Sequence, residues 1–414
     1  VTRRVLHLLS QRPSHTGSGV TLEALVAGAG RRGWDQLVAV GVPADEARPA
    51  IAGLPPERVR PLVFGGRELP FAIPGMSDVM PYPSTRFSEM TGEDLDRYGS
   101  AWRRHVRALV EEHEPDVIHS HHVWVLSALV KDVAPQTPVV VHCHATGLRQ
   151  MELCPHLAEE VRAGCARNER FAVLHEGHAR TLETRLGVTP DRIRVVGAGY
   201  RDDVFRRADR EDDRAAPDPA RLLYVGKYAA SKGLPSLLDA FEALAPEHPG
   251  LELHVAGTGA GEEADALRER MRTLEPSVVL HGQLEAPRLA DLMRRCRICV
   301  LPSFYEGVPL VLVEALACGC RLVATDLPGI RGEIAPHVGD ALDLVPLPRM
   351  VAVDVPATEA LPRFAKDLAA TIRRSLARPP LADRAGAHAR ALGRFTWDAV
   401  FRRVESIWLD LAGE

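Results

Sequence analysis

Two hydrophobic rhythms alternate along this chain from end to end. Short continuous apolar runs recur at residues 5–9, 37–40, 117–120, 139–142, 170–175, 193–196, 222–225, 251–256, 278–281, 298–301 and 322–325, and each predicts a buried strand. Between them the apolar positions fall at helical spacing, as at Leu234, Leu237, Leu238, Phe241 and Leu244. Helices are predicted at 20–31, 124–133, 156–168, 176–186, 287–295 and 309–318, and a long one from a Thr91 N-cap to about His113. Residues 42–90 are rich in proline and glycine and predict loops with at most a short strand. The tail 396–411 carries Trp397, Val400, Val404, Ile407 and Trp408 on one helical face.

Repeated strand–helix units imply parallel sheets covered on both faces. The pattern breaks once, in the charged and proline-containing stretch 206–219, and restarts at Arg221. The expected fold is therefore α/β, with two Rossmann-like doubly wound domains. They comprise an N-terminal domain at 1–198, a C-terminal domain at 199–395, and a helix at 396–414 packing back on the first. Ligands of such sheets lie at the carboxyl ends of the strands, so a site is expected where the two domains face each other.

Composition narrows the partners. The net charge of −4 gives no electrostatic case for nucleic acid. No apolar run is long enough to span a membrane, and the first apolar stretch is too short for a signal peptide. Seven scattered cysteines fit a reducing compartment, so a cytoplasmic location is expected. Lysine is scarce, four residues against 47 arginines, yet Lys227 and Lys232 fall five apart in Gly226-Lys-Tyr-Ala-Ala-Ser-Lys-Gly233. Placed at the end of the first strand of the second domain, two such compact cations suit a diphosphate.

The densest chemistry is Pro302-Ser-Phe-Tyr-Glu306-Gly307-Val308-Pro309-Leu310-Val-Leu-Val-Glu314. A buried strand runs into a loop, and Pro309 suits the first position of a helix because its missing N–H needs no partner there. The backbone N–H groups of Gly307, Val308 and Leu310 are expected to face an anion at the positive end of that helix. Glu306 and Glu314 stand along one side of it, where carboxylates can accept hydrogen bonds from hydroxyls at two ends of a nucleotide sugar. Gly17-Ser18-Gly19 follows the first strand and lets backbone approach a ligand. It is not a dinucleotide fingerprint, because Leu22 stands where the third glycine would be.

His119, His121 and His122 end one strand, and His142 and His144 end the next, which predicts a polar wall. Their spacing, and that of Cys143, Cys154 and His156, matches no zinc pattern, so no metal is expected. Cys296, Cys299, Cys318 and Cys320 read as small core residues at a helix–strand junction and a helix end. Asp202-Asp203 and Asp212-Asp213 read as a solvated linker.

Taken together, these residues resemble the retaining GT-B glycosyltransferases of family 4. Glu306 and Glu314 match that family's E-x(7)-E pair, and Glu314-Ala-Leu-Ala-Cys-Gly319 with Val323-Ala-Thr-Asp326 is similar to its continuation. Lys227 and Lys232 match its basic pair, with lysine at 227 where arginine is common. Gly17 and Gly19 match its glycine loop, and Asp116-Val-Ile-His119-Ser-His121 and the His144 strand match landmarks of its first domain. Gly199 and Phe205 are similar to its interdomain segment, except that Arg201 stands where aspartate is usual.

The resemblance implies roles, with acceptor binding in the domain at 1–198 and nucleotide-sugar binding in the domain at 199–395. Lys227 and Lys232 would neutralise the diphosphate, Glu306 would hold sugar hydroxyls and Glu314 the ribose. Gly19 would approach the donor by its backbone, Gly282 to Leu284 would lie near the base, and His144 would contact the transferred sugar or the acceptor. No cofactor is implied, and the donor is a nucleotide diphosphate sugar, UDP-linked in preference to GDP-linked. The leaving phosphate oxygen would itself take the acceptor's proton. A sugar phosphorylase, a pseudo-glycosyltransferase and a non-catalytic nucleotide-sugar binder stay open on the same residues. Arg86 and Arg149 lie in distinctive segments of the first domain and are candidates for contact with an anionic acceptor.

Overall fold

The computed structural model describes residues 2–13, 16–46, 48–77, 80–207, 218–381 and 392–413. Contacts divide the chain into two compact units, Val1–Gly199 with Trp397–Glu414, and Tyr200–Thr396.

The first unit is built on seven parallel strands. Their spatial order is Val59–Phe64, Asp35–Pro43, Arg4–Leu9, Val117–His121, Val139–Cys143, Arg170–Val173 and Ile193–Val195. The central strands are buried along their length because helices cover both faces. Leu6, Leu8, Ile118, Val139 and Val141 face a core shared with Trp102 and Leu129. Val5, Val117, Val140 and Ala172 point the other way. They pack against Leu25 and Ala29 of helix Gly17–Arg31 and against Phe401, Val404, Ile407 and Trp408 of helix Trp397–Leu411. These two helices approach so closely that a Cβ on Gly28 would sit 2.4 Å from the Phe401 ring.

Polar bonds fix the closing helix on this sheet. Arg403 Nε donates to the Val196 carbonyl at 2.8 Å, and Arg170 pairs with Asp410 at 3.1 Å. Buried Glu405 accepts from the Trp34 indole at 3.0 Å and pairs with Arg32 at 3.1 Å, so its charge is not left alone in the core.

The second unit has six parallel strands in the order Val278–Gly282, Glu252–Ala256, Asp218–Val225, Cys296–Leu301, Arg321–Thr325 and Leu342–Val345. Leu222, Leu253, Ile298, Val300 and Val323 form its core with Leu237, Phe241, Leu368 and Ile372.

Several boundaries differ from the sequence expectation. Thr16 caps the first helix with its hydroxyl, so the helix begins at Gly17 and not after the glycine pair. The stretch 42–90, expected to hold loops with at most a short strand, contains the strand Val59–Phe64. An additional helix, Ala145–Leu153, carries Gly147 within it. A Cβ there would lie 3.1 Å from the Val123 backbone, so glycine is kept for a close approach at the expense of helix propensity. Helix Leu361–Ala377 and strand Leu342–Val345 extend the alternation beyond the elements the sequence predicts. Cys296 lies at the expected helix–strand junction, capping helix Ala286–Arg295 and opening strand Cys296–Leu301, which also holds Cys299, and all seven cysteines are free and buried. Of the linker, 208–217 with Asp212 and Asp213 lies outside the described residues, and Asp203 pairs with Arg201 at 2.8 Å.

Two backbone approaches hold the strand ends of the second unit together. Gly257 has φ +134°, and a Cβ there would stand 2.0 Å from the Gly226 carbonyl oxygen. Gly233 has φ +68°, and its Cβ would stand 2.0 Å from the Pro302 oxygen. Gly261 also has positive φ, +89°, but open space around it. Gly257→Ala is therefore expected to cost about 3 kcal/mol in urea unfolding and Gly261→Ala only about 1 kcal/mol, the second reporting backbone strain without collision. Equal losses would show that the close approach is not a constraint.

Candidate active site

In the second unit the loops after four adjacent strands are laced by main-chain bonds into one ridge. Gly257 N–H donates to the Gly282 carbonyl at 2.8 Å, Gly226 N–H to Ala256 at 3.0 Å and Tyr228 N–H to Thr258 at 3.1 Å. Phe304 N–H donates to Ser231 at 3.0 Å. This lacing joins the loop carrying Lys227 and Lys232 to the loop carrying Glu306. A short turn, Ala230–Lys232, ends in left-handed Gly233, and the Tyr224 hydroxyl pins the carbonyl of Lys227 at 2.6 Å.

Lys232 Nζ lies 2.7 Å from Glu306 Oε1, with both side chains about a quarter exposed. Residues 74 apart in sequence thus form one charge-assisted pair at the strand ends. Lys227 is exposed on the same loop. The helix Leu310–Cys318 begins one residue later than expected, with Pro309 as its N-cap (φ −76°) and no side chain capping it. Proline has no hydroxyl or carboxylate to turn back on the first N–H groups, so that end keeps its positive dipole available. Glu314, on the second turn, is largely buried, and burial raises its pKa to about 7. Gly282 (φ +66°) ends the edge strand, and half-buried Leu284 follows it.

In the first unit the predicted polar wall is a layer of histidines on one face of the sheet. His7 stands beside His119 in register, and His121 beside His142. His144 is the N-cap residue of helix Ala145–Leu153, and its Nε2 lies 3.1 Å from His121 Nδ1. His119 Nε2 lies 3.3 Å from His142 Nδ1. His122, in the left-handed region at φ +70°, places Nε2 3.0 Å from Gln11 Oε1, which also accepts from the Ser18 hydroxyl at 3.1 Å. The first turn of the glycine-bearing helix is thereby tied to the histidine layer, and the Gly19 N–H is used by the Thr16 cap at 3.1 Å.

Burial keeps these imidazoles uncharged. It lowers His142 to about 4 and, with the His142 charge adding, His122 to about 3. His7 falls to about 3, and His121 and His144 fall well below the usual value, again mainly through burial. Ring nitrogens of His119, His121 and His142 lie within 4.8 Å of one another, the three-residue group among the described residues that could hold a metal ion.

Arg149 is half-buried on helix Ala145–Leu153, one turn beyond His144, whereas Arg86 is exposed and pairs with Glu89 at 3.1 Å. Neither Gln11 nor Trp408 stands out in the sequence as a site residue. Gln11 carries no motif, and Trp408 reads simply as the apolar face of a helix until the fold brings it against His119.

Residues 219–348 match the family described as "Glycosyl transferases group 1", and residues 16–199 match the "Glycosyl transferase 4-like domain". The chain is similar to a D-inositol 3-phosphate glycosyltransferase of Frankia alni, 33% identical over 77% of this chain and 80% of that protein. It is also similar to a glycogen synthase of Mycobacterium tuberculosis, 30% identical over 47% of this chain and 44% of the relative. Among solved structures, sucrose-phosphate synthase of Thermosynechococcus elongatus superposes with TM-score 0.67 at 19% identity, covering 99% of each chain. The Anabaena protein HepE in complex with UDP and glucose does so with TM-score 0.65 at 17% identity, covering 99% of this chain and 100% of that one. Among the described residues no helix is long and apolar enough to cross a membrane.

Glu314 gives this site a measurable pH signature. Its pKa rises from the ordinary 4.5 to about 7 on folding, so the folded chain holds a proton that the unfolded chain releases. Stability must then fall as pH rises between those values, by on the order of 3 kcal/mol in total. The depressed histidines act in the opposite sense, costing stability as pH falls below 6.5. The comparison is therefore Glu314→Gln against wild type in urea unfolding at about pH 5 and about pH 8. The variant is expected to gain relative stability at the higher pH. A difference independent of pH would place the carboxyl in solvent.

Proposed function

We propose that this chain, which belongs to the GT-B glycosyltransferases of family 4, moves a sugar from a nucleoside diphosphate donor to a hydroxyl acceptor with retention of anomeric configuration and without a metal ion. The observation that carries the reading is the Lys232–Glu306 pair, held at the strand ends beside a helix start that no side chain caps.

Lys227, Lys232 and the N–H groups at Gly307, Val308 and Leu310 are assigned to the diphosphate. They supply the positive field that a metal supplies elsewhere. When the pyrophosphate takes over Lys232, Glu306 is released to accept from sugar hydroxyls. Glu314 is assigned to the ribose hydroxyls and the stretch from Gly282 to Leu284 to the base. A UDP-sugar is the preferred donor, in keeping with the fold shared with a protein bound to UDP and glucose. In the first unit, Gly17 and Gly19 are assigned to the donor and His144 to the transferred sugar or the acceptor.

Retention needs no side-chain base in this scheme. The bond from the anomeric carbon to the phosphate oxygen breaks, the acceptor oxygen bonds the same face of that carbon, and its proton passes to the departing phosphate oxygen. The uncharged histidine layer supports this assignment, since neutral rings can donate or accept hydrogen bonds without trapping the phosphate as an ion pair. For the acceptor, the kinship with D-inositol 3-phosphate glycosyltransferases favours a phosphorylated polyol, with Arg149 and Arg86 as its cationic contacts. Seven free, buried cysteines agree with work in the cytoplasm.

Melting curves with UDP, GDP and ADP, each with and without EDTA, test the donor site. At a hundredfold excess over Kd, a bound nucleotide stabilises the native chain by about 2.7 kcal/mol. UDP is expected to give that gain whether or not EDTA is present, and Lys232→Ala to lose it. A gain that EDTA abolishes would overturn metal independence. No gain from any of the three nucleotides would overturn the donor assignment.

A further inference from the structure

The closing helix of the first unit reaches into the histidine layer through one atom. The Trp408 indole Nε1 lies 3.0 Å from His119 Nδ1, with both rings fully buried. An indole N–H can only donate, so His119 Nδ1 must offer its lone pair. A neutral imidazole accepting at Nδ1 carries its proton on Nε2, and burial holds His119 neutral. The Nε2–H therefore donates across 3.3 Å to His142 Nδ1. His142 is neutral for the same reason, so its own proton is on Nε2, which has no protein partner among the described residues. The His142 ring in turn stacks on His144, with centroids 4.8 Å apart and planes 13° from parallel.

We propose that Trp408 is a positioning residue for this enzyme. Its N–H sets the tautomers of His119 and then His142, and so fixes the ring plane against which His144 is held. One donor at the end of the relay directs every proton in it. The relay also accounts for the three-histidine group differently from a metal site: coordination through His119 Nε2 would require a lone pair where the relay places a proton. Trp408 itself is held by T-shaped contacts with Trp34, His7 and Phe401 at 5.1–5.6 Å, so the donor is aimed by packing. The functional half of the proposal rests on the assignment of His144 to the transferred sugar or acceptor. The tautomeric half does not.

Long-range proton–nitrogen spectra of the histidine rings in the full-length chain read the tautomers directly. Wild type is expected to show His119 and His142 each as a single Nε2–H form. Trp408→Phe keeps an aromatic ring and removes the donor, and both residues are expected to become tautomer mixtures. Because that variant also disturbs packing, His119→Gln and His119→Leu form the second arm. A glutamine amide can accept from Trp408 through its oxygen and donate to His142 through its nitrogen, whereas leucine can do neither. With UDP-glucose and D-inositol 3-phosphate as probes, His119→Leu is expected to lower kcat on the order of tenfold with KM for the donor unchanged, and His119→Gln to restore it to within about twofold.

Wild-type tautomers in Trp408→Phe, or equal defects in the two His119 variants, would overturn the proposal. So would a rise in melting temperature with Zn²⁺ that His119→Leu abolishes, since that would make the group a metal site. If wild type turns over neither probe, the assignment of these substrates fails, and the spectra decide the relay by themselves.

Discussion

The second unit depends on main chain meeting main chain at the carboxyl ends of its strands. Gly257 lies against the Gly226 carbonyl and Gly233 against that of Pro302, in both cases nearer than any Cβ permits. Those approaches bring the loops after four strands into one ridge, and only because the ridge exists do Lys232 and Glu306 meet. A parallel sheet buried on both faces can expose polar chain chiefly at its strand ends, so chemistry accumulates there. The glycines convert that general rule into a particular constellation.

The first unit solves a different problem. Its sheet carries imidazoles on a buried face, where each ring has two nitrogens to satisfy. They satisfy one another in part, with Gln36 serving His7, Gln11 serving His122 and Trp408 serving His119. Because the donor to His119 is an indole, which cannot accept, direction is imposed from the closing helix inward. The same burial that depresses the histidine pKa values raises that of Glu314. In each unit the solvent-poor environment favours the uncharged form of the groups around the strand ends, leaving the lysines as the principal fixed charges assigned to a phosphate.

Much of this was readable from the chain alone. The strand–helix alternation gave the class of fold, and the scarcity of lysine singled out 227 and 232. The seven-residue gap between Glu306 and Glu314, with its glycine and proline neighbours, marked the helix start. Errors fell where a close approach overrode local propensity. Gly147 disguised helix Ala145–Leu153 because the Val123 backbone needs the space, and the Thr16 cap drew Gly17 and Gly19 into a helix where a loop was expected. The short strand allowed for within 42–90 has no position legible in the sequence, because proline and glycine around Val59–Phe64 obscure six residues that pair with a single neighbouring strand.

What the sequence determined by itself was periodic or local: which segments are strands or helices, where the restart lies, and which residue types stand at strand ends. Those properties follow from side-chain alternation and from the φ and hydrogen-bonding limits of single residues, which need no partner in space. Only the tertiary structure decided which of those residues touch. Lys232 with Glu306 and Trp408 with His119 are pairs 74 and 289 residues apart. Contacts of that kind, and the protonation states they impose, depend on burial and on exact distance, and neither is written in the spacing of residues along a chain.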